Sequence, residues 1–431
     1  MRDFPLLHPR DQIAATMSRI YRHNMTTTSG GNLSIRDEEG SIWISPARVD
    51  KGRLQREDIA RILPDGSVEG PYPPSSEAPF HRAIYRARPD LQAIIHAHPG
   101  ALVSFSMCGQ VPDTRVFPET FALCGEPVLA PYALPGSEAL GERIAASFAR
   151  PCRPRCVVLE NHGVVVGETD MAAAFTAFEA FEFAAATLLS ARQLGEVETL
   201  TDRQLKWAAD ARPPLPESAL VPVSIREKEL RKEICFFVHR AYAHRLMTSA
   251  WGSFSARVDE ETFVITPRSV DRAALGVEDL VPVRAGKIPF GARPSRAVRL
   301  HQTIYQKHPE VQAVVNALPV CASAFSLSEA VLDTRTIPES YVFLKDVGVL
   351  PFADQFGDAP VLAKMISVAR PAVILKNNGA LTVGRSILDA FDRMEVLEST
   401  AAAIIRSKAL GPIRSMSGEI ITELEDAFGV V

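Results

Sequence analysis

Within Pro74–Pro99, PSSEAPFHRAIYRARPDLQAIIHAHP, stand residues of the kinds that hold metals and move protons. The stretch carries a carboxylate at Glu77, then an amphipathic helical pattern, then an apolar run that ends in His96 and His98. Residues i and i+2 of a strand share a face, so the two imidazoles project together. Side by side at a strand end they form much of a first-row transition-metal site, with Glu77 able to act as a further ligand or as a base. A single histidine in an apolar strand is ordinarily a hydrogen-bonded core residue, so the pair needs support from elsewhere. Another histidine, His162, lies in the turn Glu160-Asn161-His162-Gly163 between two apolar segments, where it could equally be a cap or a surface residue.

The support comes from an internal repeat. FHRAIYRARPDLQAIIHAHPGALVSFS from Phe80 recurs as LHQTIYQKHPEVQAVVNALPVCASAFS from Leu300, and IWISPARVDKGRLQREDI from Ile42 recurs as FVITPRSVDRAALGVEDL from Phe263. DTRVFPE from Asp113 pairs with DTRTIPE from Asp333, and VVLENHGVVVG from Val157 with VILKNNGALTVG from Val373. Order is kept throughout, as in a tandem duplication. In the second copy Glu77, His96, His98 and His162 correspond to Ala297, Asn316, Leu318 and Asn378. Independent structural histidines have no reason to vanish as a set, whereas the ligands of one metal do. Neutral imidazoles with a carboxylate suit one Zn2+ per chain, held in the first copy; Mn2+, Fe2+ or Co2+ fit the same donors.

The elements that must position these residues alternate along each copy. RDQIAATMSRIYRH, EAPFHRAIYRAR, EALGERIAASFAR and the alanine-rich AAAFTAFEAFEFAAATLLSAR have helical spacing, while NLSIRD, SIWISP, LQAIIHAHP and CVVLENHGVVVG read as strands. Interleaved strands and helices predict an α/β layered unit, twice over. The boundaries expected are a metal-containing domain at 1–210, a linker at 211–223 and a degenerate domain at 224–431. The linker carries Pro213, Pro214, Pro216 and Pro222, which remove backbone donors and disfavour helix.

Composition bounds the partners. The 431 residues are 46% hydrophobic and 23% charged with a net charge of −4, which supports large cores and gives no general affinity for nucleic acid or a membrane surface. No signal-peptide pattern and no membrane-spanning run is read, and the six scattered cysteines read as structural thiols, so a cytoplasmic protein is expected.

Four motifs in this order, Ser29-Gly30-Gly31-Asn32, Ser75-Ser76-Glu77, His96-Ala97-His98 and Asn161-His162-Gly163, resemble the class II aldolase/adducin family, typified by L-fuculose-1-phosphate aldolase. The resemblance covers essentially the whole of each repeat. It implies an α/β/α sandwich around a mainly antiparallel sheet, a zinc ion on Glu77, His96, His98 and His162, and Glu77 as the acid/base. It implies a metal-dependent lyase cleaving a small sugar phosphate or related anionic hydroxy-carbonyl compound through an enediolate. The glycine-rich turn of Ser29, Gly30, Gly31 and Asn32, with the hydroxyls of Ser75 and Ser76, would cradle a phosphate. One departure is Ser45-Pro46-Ala47-Arg48, where the family typically has Thr-Pro-Ser-Gly; Arg48 offers a forked donor for a phosphate or carboxylate in place of glycine. Epimerisation, dehydration and decarboxylation occur on the same scaffold, and an adducin-like scaffold without enzymatic activity is the reading from another class. The family's ring assembly leads to the expectation of a homo-oligomer, two chains forming a pseudo-fourfold ring.

Overall fold

The computed structural model describes residues 4–210, 214–219, 222–356 and 360–428. By internal contacts the chain divides into residues 1–186 and 187–431.

The first unit runs α1 (Pro9–Arg22), β1 (Asn32–Arg36), β2 (Ile42–Ile44), β3 (Ala60–Ile62), β4 (Val68–Glu69), α2 (Ala78–Ala87), β5 (Ala93–Ala97), α3 (Gly100–Met107), α4 (Pro118–Cys124), β6 (Val128–Ala130), α5 (Glu138–Phe148), β7 (Cys156–Leu159), β8 (Gly163–Glu168) and α6 (Met171–Leu194), the division at 186 falling inside α6. The strands form one sheet in the order β4-β3-β2-β1-β5-β8-β7-β6, antiparallel throughout except for β6 against β7. This is the α/β layering that the sequence pattern predicts, with the mainly antiparallel sheet that the family resemblance implies.

Helix α2 forms where Phe80 and Ile84 fall on one face at i, i+4 spacing, with Pro79 in its first turn. That face packs on α5, whose Leu140, Ile144 and Phe148 join Ile94, Val157, Leu159 and Val165 of the sheet in one core. The helices approach closely because Gly141 is a glycine; a Cβ there would lie 3.3 Å from the Cα of Phe80. Successive residues of β5 face opposite sides, so Ile94 and His96 look toward α2. On the other side of the sheet α1 packs on β1 and β2, and α3 on β7 and β8. Helix α6 is long and apolar enough to cross a membrane by length and composition, but 72% of its most apolar stretch is buried, as in the core helix of a folded unit.

The second unit contains α7 (Asp202–Ala209), β9 (Glu217–Ser218), α8 (Ile225–Ala243), β10 (Ser253–Arg257), β11 (Thr262–Ile265), β12 (Val281–Arg284), β13 (Ile288–Pro289), α9 (Val298–Lys307), β14 (Ala313–Ala317), α10 (Val320–Phe325), α11 (Pro338–Leu344), β15 (Gly348–Leu350), α12 (Pro360–Met365), β16 (Ala372–Leu375), β17 (Ala380–Gly384), α13 (Ile387–Ser407) and α14 (Gly418–Phe428). Its sheet order, β12-β11-β10-β14-β17-β16-β15, repeats that of the first unit without the β4 edge. Strand β13 pairs instead with β9, which lies within the proline-rich stretch; residues 211–213 and 220–221 of the expected linker lie outside the described residues.

Candidate metal centre

The site assembles at one end of the central strands of the first unit. β5 lies between β1 and β8, with His96 opposite Asn32 on one side and Val165 on the other. His98 follows just past the end of β5, and His162 sits in the turn joining β7 to β8. That turn is held by Ser106, whose hydroxyl donates to Leu159 O (2.5 Å) and accepts from His162 N (2.9 Å). Gly163 lets the turn close onto β5: a Cβ there would meet Ala97 O and His98 Cδ2, each at 2.6 Å. Gly30 is held to glycine in the same way, its Cβ position lying 2.9 Å from His98 Nδ1. Glu77 stands at the N-cap position of α2 without capping it through its side chain, so the helix that packs on the sheet also delivers the carboxylate.

The ligand atoms of His96, His98 and His162 all lie within 4.8 Å of one another. His96 Nε2 and His98 Nε2 are 3.1 Å apart. The carboxylate of Glu77 joins them, Oε2 at 3.2 Å from His96 Nε2 and Oε1 at 3.5 Å from His162 Nε2. His96 Nδ1 lies 2.9 Å from Val164 O and must donate to it, which fixes the tautomer and leaves Nε2 a bare acceptor. A bare nitrogen therefore faces a carboxylate oxygen and a second imidazole nitrogen. The bare nitrogen and the carboxylate oxygen both turn lone pairs to the same point, so the donor set fits a divalent metal.

The protonation states agree. Burial, reinforced by neighbouring His96 and His162, pushes His98 down to about 3, and burial with His96 pushes His162 down to about 4. Both are neutral at pH 7, as a metal ligand must be. Burial opposes ionisation of Glu77, and against it the Asn32 amide donates to Oε2 and any proton on His96 or His162 favours the carboxylate, so the carboxyl is held below its ordinary value. The carboxylate is ionised at neutral pH.

The segments expected to receive an anion meet beside this cluster. Ala47 N donates to Pro73 O (3.1 Å), Ser75 N to Ser45 O (3.3 Å) and Lys51 N to Thr28 O (2.9 Å), so the stretches around 28–31, 45–51 and 73–77 are stitched together. Ser29 and Ser76 are exposed, Gly30 is half-buried and Gly31 is buried with φ +71°. Ser75 is buried and its hydroxyl accepts from Glu77 N at 3.2 Å. Arg48 is exposed, has no hydrogen-bond partner among the described residues and adopts φ +59°, the left-handed conformation natural to the glycine it replaces.

The side chain of Asn32 is committed elsewhere: its Nδ2 donates to Glu77 Oε2 at 2.7 Å and its Oδ1 lies 2.5 Å from His81 Nε2. Sequence reasoning did not single out His81. It recurs as His301 in the copy without ligands, which marks it as structural, and only the packing of α2 against β1 reveals its link to the site.

Fold and site together define an α/β sandwich with a histidine triad able to hold a divalent cation. The chain belongs to the Class II Aldolase and Adducin N-terminal domain family, whose sequence profile matches residues 11–189 and again 232–405. It is 32% identical over 201 residues to a 5-deoxy-D-ribulose 1-phosphate aldolase of Bacillus thuringiensis, spanning 46% of this chain and 92% of the relative. It is 30% identical over 191 residues to a 3-oxo-tetronate 4-phosphate decarboxylase of Haemophilus influenzae, spanning 43% and 89%. A solved L-fuculose 1-phosphate aldolase is 28% identical, with a TM-score of 0.43, over 47% of this chain and 94% of that one.

Proposed function

We propose that the chain is a divalent-metal-dependent lyase, zinc being the first candidate, that breaks a carbon–carbon bond beside the ketone of a small phosphorylated hydroxy-ketone. The observation that supports it most is the convergence of Glu77 with His96, His98 and His162 in one unit, beside a turn and loop suited to an anion. A cation held by these four residues would supply Lewis-acid polarisation of the substrate's carbonyl. The protein's own groups do the rest. Glu77 Oε1, the oxygen that Asn32 leaves free, exchanges the proton at the reacting carbon or hydroxyl. Gly31, Ser29 and Ser76 offer donors to the phosphate, Gly30 N–H being engaged by Thr27 within the turn, and Arg48 adds a forked cation at its rim.

The names of the relatives bear on the substrate. A 1-phosphorylated ketose and a 3-oxo acid phosphorylated at C4 share a phosphooxymethyl ketone next to a hydroxyl-bearing carbon. Loss of an aldehyde from that carbon in the first, or of carbon dioxide in the second, leaves the same enediolate. One site can therefore serve either reaction, and what differs is the leaving fragment. The test is to supply the zinc-loaded chain with a ketose 1-phosphate and, separately, with a 3-oxo-acid 4-phosphate, following aldehyde and carbon dioxide. Release from one of them, abolished by chelation and by Glu77→Gln, is expected; no release from either would overturn the reading. A homo-oligomer in the cytoplasm belongs to the same proposal, and sedimentation of a fully active monomer would remove the oligomer.

A further inference from the structure

Glu77 is not an isolated ligand; it ends a buried chain of hydrogen bonds. Asn32 Nδ2 donates to Glu77 Oε2 (2.7 Å), His81 Nε2 donates to Asn32 Oδ1 (2.5 Å), and Ser34 Oγ lies 2.7 Å from His81 Nδ1 and 2.9 Å from Tyr85 Oη. Asn32, Ser34, His81 and Tyr85 are all buried. The direction of the chain follows from what each group can do. A carboxylate only accepts, so the amide must turn its NH2 to Glu77 and its oxygen to His81. His81 must then carry its proton on Nε2 and accept from Ser34 at Nδ1. Remove that N–H and Asn32 Oδ1 loses its buried donor, so Glu77 alone is left to orient the amide.

The second unit is the internal control. Ser255 Oγ lies 2.7 Å from both His301 Nδ1 and Tyr305 Oη, so the serine, histidine and tyrosine of the chain are kept. Asn32 and Glu77 are replaced by Ser253 and Ala297, and the buried His301 Nε2 has no hydrogen-bond partner. A buried ring nitrogen without a partner is costly in either tautomer. The imidazole is thus retained for packing, while the asparagine occurs only where there is a carboxylate to hold.

We propose that Asn32, oriented by His81, is a positioning residue that fixes the plane of the Glu77 carboxylate, holding Oε2 beside His96 Nε2 and leaving Oε1 toward His162 Nε2. The inference rests on the metal-site reading above. Its consequence is that the geometry of a bound metal depends on a hydrogen bond between Asn32 and His81, neither of which is a ligand.

The test is titration of the chelated, metal-free chain with Co2+ alone, read by its visible d–d absorption. Outer hydrogen-bond partners of metal ligands are typically worth about 10–100-fold in affinity. Asn32→Asp, close in shape but without the amide donor, and Asn32→Ser, the residue of the second unit, should each weaken Co2+ binding by about that factor and change the band shape. His81→Phe should do the same, whereas His81→Gln, which keeps a donor for Asn32 Oδ1, should restore much of the wild-type spectrum. The double variant Asn32→Ser/His81→Phe should be no worse than Asn32→Ser, because both remove one interaction. His301→Phe controls for packing and should leave the Co2+ spectrum untouched. A wild-type chain that binds Co2+ while both Asn32 variants keep its affinity and spectrum would overturn this inference and leave the proposed function standing. A wild-type chain that binds no Co2+ would overturn both.

Discussion

The two units carry one skeleton and differ in what it presents at one strand end. In the first, Glu182 accepts from Ala101 N and Leu102 N, both at 3.0 Å, capping α3; in the second, Glu398 accepts from Cys321 N (2.9 Å) and Ala322 N (2.7 Å), capping α10. His81 and His301 are each buried, and burial lowers each to about 3. At the site the replacements follow a pattern. Asn316 Nδ2 donates to Ala380 O at 3.0 Å, reproducing the bond that His96 Nδ1 makes to Val164 O. Leu318 is fully buried where His98 stood, Asn378 Nδ2 donates to Gln355 Oε1 (2.9 Å), and buried Trp251 takes the position of Gly30, from which a side chain starts against residue 98 or its equivalent. Each substitute meets the scaffold's demand and omits the second nitrogen. The difference separates the two faces of His96: Nδ1 belongs to the sheet, and Nε2 belongs to the site.

The comparison breaks most directly by exchange of residues. His98→Leu imports the second unit's residue and should lower metal affinity by more than the roughly hundredfold that an outer partner alone can cost. The reverse change, Leu318→His, should create no site, because Asn316, Asn378 and Ala297 supply no convergent acceptors. Metal content after dialysis measures both. Metal retained by His98→Leu, or acquired by Leu318→His, would show that the contrast between the units is misplaced.

A smaller but wider effect comes from acid. His98 and His162 are held at about 3 and about 4 in the fold, against about 6.5 in an unfolded chain. Between those values the unfolded state binds more protons than the native one, so the stability these groups contribute is present above about pH 6.5 and is lost as the pH falls toward 4. From pH 7 to 5 each costs about 2 kcal/mol. His81 and His301 impose the same kind of loss on both units and cancel. Hydrogen exchange of the metal-free chain at the two pH values should therefore show the first unit losing more protection than the second; equal losses would contradict the assignment of neutral imidazoles.

Closer to the backbone, Gly163→Ala places a Cβ 2.6 Å from Ala97 O and His98 Cδ2, and Gly379→Ala places one 2.4 Å from Ala317 O with φ at +81°. Overpacking of this kind costs about 1–3 kcal/mol, so both variants should melt earlier. Only Gly163→Ala should also weaken metal binding, since it displaces His98. A metal affinity unchanged by Gly163→Ala would mean that the close approach serves packing alone.

Much of this was legible before any coordinates. Helix and strand spacing gave α1, α2, α5 and the strands β1, β2, β5, β7 and β8, because those segments bury a single face or are apolar throughout. The four candidate ligands were legible because the second copy lacks them together, so the repeat acted as its own control. The bond between Asn32, read from the sequence only as part of the phosphate turn, and His81 was not, because it depends on β1 lying beside β5 and on α2 packing across that pair, and sheet order leaves no periodicity in a sequence. His81 was further hidden by being retained as His301. The short edge strands β3 and β4 escaped for a plainer reason: unlike the equally short but fully buried β2, they include half-buried or exposed residues and make no continuous apolar run.

The finest distinction between the units concerns a loop that both share. Arg48 adopts φ +59° and its counterpart Ser269 φ +60°, so both occupy a conformation in which a side chain costs about 1–2 kcal/mol. Glycine removes that cost, and its greater freedom in the unfolded chain takes back about 0.5–1 kcal/mol. Arg48→Gly and Ser269→Gly should therefore each raise the melting temperature slightly, by an amount worth no more than about 1 kcal/mol. If the loop is equivalent in both units, the two shifts should match. What should not match is the response to anions. Arg48→Gly removes the exposed guanidinium of the loop whose backbone pairs with residues 73–75 and should weaken inhibition by inorganic phosphate several-fold, while Ser269→Gly leaves it unchanged. Equal phosphate inhibition in wild type and Arg48→Gly would confine anion recognition to the glycine-rich turn and the serines, and would leave Arg48 a solvated replacement for glycine.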